Sequence, residues 1–92
     1  MPHQILKTRR FTRTVKRMHP NITRATHQAI AVIAKDPTLG EEKKSNLEFF
    51  FVYKFHVLDT QYLLAYLIIE ELKEIVLTAI GPHENFYRDL KR

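Results

Sequence analysis

Three apolar stretches rich in β-branched and aromatic residues crowd into the second half of the chain: Leu47 to Leu58, Gln61 to Ile69 and Lys73 to Ile80. Asp59-Thr60 separates the first two, and Glu70-Glu71, with Leu72 after it, the last two, connections short enough for antiparallel hairpins. The chain is therefore committed to a meander of three strands, and the residues before it must supply a cover for one face of the sheet.

The preceding residues fit that role. Gln4-Ile5-Leu6-Lys7-Thr8 has the composition of a short first strand, with Thr8 placed to cap a helix. From Arg9 to Met18, Phe11, Val15 and Met18 recur at helical spacing, while Arg9, Arg10, Arg13, Lys16 and Arg17 occupy the other side. His19-Pro20-Asn21 interrupts the pattern, and Asn21 is the expected cap of a second helix over 22–35. Ile22, Ala25, Ala29, Val32 and Ile33 form its expected buried stripe, and Asp36-Pro37-Thr38-Leu39-Gly40 ends it. Glu41 to Asn46 is polar and is expected to be a loop; residues 84–92 are expected to form a short helix or tail. The expected fold is α+β, β-α-α-β-β-β, one domain over residues 1–92 with a helical hairpin on one face of a small, mainly antiparallel sheet.

Alternation along the first long strand assigns its two faces. Phe49, Phe51, Tyr53, Phe55 and Val57 are expected to point one way, toward the helices, and Glu48, Phe50, Val52, Lys54 and His56 the other. Lys54 and His56 thus project from the uncovered face. Just past the last strand comes Gly81-Pro82-His83-Glu84-Asn85-Phe86-Tyr87-Arg88, which gathers histidine, tyrosine and arginine where they can complete a site on that face. Phe86 and Leu90 are best read as core packing.

Composition narrows the setting. Ninety-two residues with 45% hydrophobic content suffice for one small core. There is no cysteine, so disulfides and thiolate metal sites are excluded. The five histidines lack the spacing of a metal site, and no metal or other cofactor is expected. Lys7, Arg9 and Arg10 precede any apolar run, and the longest such runs are too short to cross a bilayer. A cytoplasmic protein without a membrane partner is expected. The net charge is +5, and all eight basic residues of the first 35 stand without a single acidic one. Such one-sided charge attracts polyanions, with a phosphate backbone the leading candidate over an acidic protein segment.

The layout resembles the RelE/ParE superfamily of toxins from type II bacterial toxin–antitoxin pairs. The resemblance rests on Asp36-Pro37…Gly40, Val52-Tyr53-Lys54-Phe55, Tyr62-Leu63-Leu64-Ala65-Tyr66 and Gly81…His83…Tyr87-Arg88, and it spans essentially the whole chain. RelE-like members cut messenger RNA at the ribosomal A site without metal, whereas ParE-like members inhibit DNA gyrase without catalysis. The nuclease pattern has basic or histidine residues on the strand after the hairpin, here Lys54 and His56, then a basic residue or histidine after the last strand, here His83, and an aromatic residue a few positions on, here Tyr87. One departure stands out: many such nucleases carry an arginine after the tyrosine of the penultimate strand, and here Leu63 follows Tyr62.

The resemblance implies an mRNA endonuclease in which a 2′-OH attacks the scissile phosphate, leaving a 2′,3′-cyclic phosphate. That chemistry needs a base, an acid and cations on the phosphate. His56 is the candidate base and His83 the candidate acid, with the two interchangeable; Lys54 and Arg88 serve the phosphate, and Tyr87 stacks a base or orients the nucleotide. Arg9, Arg10, Arg13, Lys16 and Arg17 would bind RNA. Expected partners are a cognate antitoxin, with Phe50 and Val52 as candidate contacts, and the ribosome with its mRNA; DNA gyrase is the alternative target. Without the resemblance, Lys54 and His56 are equally well read as ordinary residues of an open sheet face.

Overall fold

A computed structural model of the chain describes residues 3–45, 48–84 and 86. The elements run β1 (Gln4–Lys7), α1 (Arg9–Lys16), α2 (Pro20–Lys35), a 3-10 turn (Pro37–Leu39), β2 (Glu41–Ser45), β3 (Glu48–Val57), β4 (Thr60–Ile69), a second 3-10 turn (Glu70–Leu72) and β5 (Glu74–Pro82). The five described strands form one sheet in the order β1-β5-β4-β3-β2. Only the β1–β5 pair is parallel; the other three pairs are antiparallel. The α+β fold with a helical hairpin on one face is therefore as expected. The difference is β2: the polar segment expected to be a loop pairs with β3 along its length, from Glu41 opposite Val52 to Ser45 opposite Glu48.

Caps decide where the helices begin. The Thr8 hydroxyl accepts the Phe11 N–H at 3.1 Å, starting α1 where the sequence placed it. In α2 the cap is His19 rather than Asn21: Nδ1 of His19 accepts the Asn21 N–H at 3.1 Å. Pro20 then fills the first helical position, where its fixed φ suits the helix and no N–H is needed. The buried stripe of α2 is also rotated from the expected one. Thr26, Ala29 and Ile33 are buried, whereas Val32 is 39% exposed. Thr26 can be buried because its hydroxyl donates to the Ile22 carbonyl at 2.8 Å.

The core lies between the helices and the sheet, with Phe11, Ala29 and Ile33 packed on Leu64, Tyr66, Ile75, Leu77 and Ile80. Phe51, Tyr53 and Phe55 border it as expected. Phe49, on the same side, lies beyond the cover and is 56% exposed; the Lys44 ammonium stands 5.5 Å from its ring centre. Tyr66 ties the core to the approach to β2. Its hydroxyl donates to the Pro37 carbonyl at 2.6 Å and accepts the Gly40 N–H at 3.1 Å. A β-carbon on Gly40 would run into that hydroxyl, so the position requires glycine. Burial pushes the Tyr66 phenol up to about 12.

A β-bulge sets the exit of β5. Ala65 pairs with Ala79 and Tyr66 with Leu77, so Thr78 is the extra residue. Thr78 donates its hydroxyl to the Ala65 carbonyl at 3.1 Å, and its own carbonyl accepts the Thr8 hydroxyl at 3.3 Å. The bulge changes the phase of the strand. Ile75 and Leu77 face the helices before it and Ile80 after it, while Ala79 joins the opposite face.

Candidate functional site

The face away from the helices has a small apolar floor. Val52, Leu63, Ala65 and Ala79 are buried there with Phe86, and Phe50 packs against them. Phe86 is thus a packing residue, as its position in the sequence suggested. Val52 is 1% exposed, so it is not the surface contact expected beside Phe50; Phe50 is half-buried, and by register the half-buried Leu67 and Val76 and the 37% exposed Leu6 lie on the same face.

Pairing register arranges the polar groups around this floor. Lys54 lies opposite Leu63, which lies opposite Gly81. One step along, His56 lies opposite Gln61, and Tyr62 lies opposite Pro82. Directly opposed residues share a face, so Lys54 and His56 flank the floor at the end where β5 releases the chain into His83. All three are exposed. The Thr78 bulge turns Ala79 and Gly81 toward the floor; a β-carbon on Gly81 would meet the Phe86 ring at ordinary contact distance. Tyr87 and Arg88 lie outside the described residues.

The neighbouring strand adds two groups that the sequence did not single out. Glu41 is opposite Val52 and Lys43 opposite Phe50, so both stand on this face. The Lys43 ammonium donates to the Glu41 carboxylate at 2.9 Å, and the Lys54 ammonium stands 3.7 Å from its other oxygen. Hydrogen bonding from Lys43, and the charges of Lys43 and Lys54, hold the Glu41 carboxyl below its ordinary range. Glu-Glu-Lys-Lys looked like a solvated loop because a charged edge strand shows no apolar alternation.

The site position occupied by an arginine in many nucleases of the resembled type holds a leucine that is fully buried in the floor. Arg9, Arg10, Arg13, Lys16 and Arg17 are all exposed. Arg10 lines a cleft of about 360 Å³ with Met18, Tyr62 and Pro82, so the basic helix reaches the same end of the sheet as His83. Among the described residues no acidic side chain lies within ion-pair distance of Arg9, Arg13, Lys16 or Arg17. Of the other histidines, His19 and His27 are exposed, whereas His3 is half-buried, its Nε2 3.7 Å from Glu70. No group of three potential metal ligands occurs among the described residues, and no described helix is long and apolar enough to cross a membrane.

The family model for the ParE-like toxin of type II bacterial toxin–antitoxin systems matches residues 5–91. The chain belongs to that family. Solved structures share its fold at low identity. The toxin–antitoxin complex RelBE2 from Mycobacterium tuberculosis has a chain 20% identical, with a TM-score of 0.78 over 90% of this chain and 100% of that one. A free E. coli RelE toxin carrying two arginine-to-alanine substitutions is 15% identical, with a TM-score of 0.77 over 100% of this chain and 98% of that one. In the intact E. coli RelBE complex the matching chain is 13% identical, with a TM-score of 0.73 over 89% of this chain and 98% of that one. No curated protein matches the sequence. This ParE-like toxin thus has RelE-like structural neighbours.

Proposed function

We propose that this toxin is a metal-independent, ribosome-dependent mRNA endonuclease. The observation that supports this reading is that Lys54 and His56 stand exposed on the sheet face that the helices leave open, at the end where β5 leads into the exposed His83. His56 takes the proton from the 2′-OH as that oxygen attacks phosphorus; the bond to the 5′-oxygen breaks and His83 protonates it. Lys54 stabilises charge developing on the phosphate, with Lys43 beside it on the same face. Tyr87 and Arg88 complete the site by stacking and by charge. The basic face of α1 holds ribosomal RNA, and a cognate antitoxin covers the open face, meeting Phe50.

A gyrase inhibitor is the second reading, and one feature favours it. Leu63 turns the centre of the face into buried hydrocarbon, without the arginine expected of a nuclease. Pulsed expression in a bacterial host separates the two. Cuts within translated codons, mapped by primer extension and lost in His83→Ala, support the nuclease; intact messages with a rising DNA-damage response support the inhibitor. Ribosome binding should weaken steeply with salt, and its insensitivity would remove the RNA partner.

A further inference from the structure

We infer that Glu41 is an internal competitor for the phosphate backbone of the RNA, occupying the space between Lys43 and Lys54 that a phosphate takes when the toxin engages its substrate. This inference rests on the nuclease reading and adds a residue that regulates the same site.

A carboxylate that accepts from Lys43 at 2.9 Å and lies 3.7 Å from Lys54 presents its oxygens to the two ammonium groups in the manner of a phosphate. The lysines arrive from different strands, Lys43 from β2 and Lys54 from β3, so the carboxylate bridges a strand pair across the edge of the face. At neutral pH Glu41 is ionised, and the three groups carry one net positive charge in place of two. All three have substantial exposure, with side-chain values of 34%, 42% and 55% for Lys43, Lys54 and Glu41, so an incoming strand can reach them. Exposed ion pairs are weak, so a polyanion can displace the carboxylate without disturbing the fold. Glu41 therefore positions the two lysines side by side while lowering their attraction for anything but a strongly charged ligand.

The same strand supplies a control. Glu42 lies opposite Phe51, on the helix side of the sheet, and has no cation within ion-pair distance among the described residues. Glu41→Gln and Glu42→Gln change the net charge equally. Binding of a short single-stranded RNA is measured in the His83→Ala background, by fluorescence anisotropy over a series of salt concentrations. Glu41→Gln should bind about two- to fivefold tighter than its parent, with a logarithmic salt slope steeper by about 0.7 because further counterions are released on binding. Glu42→Gln should give less than half that gain and no change in slope. Equal gains from the two substitutions, or no gain from Glu41→Gln, overturn the inference. Failure of the nuclease reading has a different signature, the absence of codon cuts from the unaltered toxin, and the binding series does not depend on cleavage.

Discussion

The two faces of the sheet are built from the same strands and do opposite things. On the helix side, Leu64, Tyr66, Ile75 and Leu77 are sealed under two helices, and the buried Tyr66 hydroxyl is paired with Pro37 and Gly40. On the other side four small or medium side chains lie with Phe86 in a floor bordered by exposed lysine and histidine. The difference shows how a domain of this size separates its tasks. One face buries enough apolar area to hold the fold, which leaves the other free to carry charge that would be costly to bury.

That division can be broken, most severely by His83→Ala. Loss of the candidate acid should lower cleavage by about 10²- to 10⁴-fold, while thermal stability stays near that of the unaltered chain because His83 is exposed. Primer extension and a thermal melt together decide it, and an unstable variant would blur the two faces. Next in size is a paired truncation. Leu77→Ala in the helix-side core should cost about 2–5 kcal/mol, and Leu63→Ala in the thinner floor should fall at the lower end of that range, because Phe86 and its neighbours can settle into the gap. Denaturant titration measures both, and equal losses would mean that the floor is as structural as the core.

Tyr66→Phe should cost about 1–3 kcal/mol by leaving the Gly40 N–H and Pro37 carbonyl without their partner. Its pH dependence sharpens the point. The folded-state pKa is pushed up to about 12, so the neutral phenol gives full stability below pH 10, the ordinary range of tyrosine, and stability falls as pH rises from about 10 to 12. Up to about 1.4 kcal/mol per pH unit is at stake, and this decline should be absent from Tyr66→Phe in alkaline melts. Thr8→Ala is the mildest test. It should cost about 0.5–2 kcal/mol through loss of the α1 cap, with the cleavage pattern unchanged if the bulge at Thr78 holds without that contact.

How much could be read from the sequence follows from the same contrast. The faces of β3 were legible because one side of that strand is buried in the core, so Phe51, Tyr53 and Phe55 separate cleanly from Lys54 and His56. Phe86 was legible as an aromatic just past a strand. β2 was not, because an edge strand of glutamates and lysines buries neither face and carries no alternation; Glu41 and Lys43 were missed with it. The bulge escaped too, although a trace exists in the shift of helix-facing positions from Ile75 and Leu77 to Ile80, an odd-to-even change that a regular strand cannot make. The cap at His19 was hidden by the stronger prior for asparagine, and Pro20 decided the matter. Tyr87 and Arg88 lie outside the described residues.

The hydrogen bond from Gly40 to Tyr66 has a consequence for the charge pattern of β2. Glu41-Glu42-Lys43-Lys44 is a doubled word: slide it by one residue along β3 and a glutamate again faces the floor with a lysine two places on. The segment cannot tell these two alignments apart by its own chemistry. Tyr66, anchored in the core, grips the residue just before the strand and so fixes which copy is read. The lettering at the rim of the site is thus spelled out by a buried phenol on another strand.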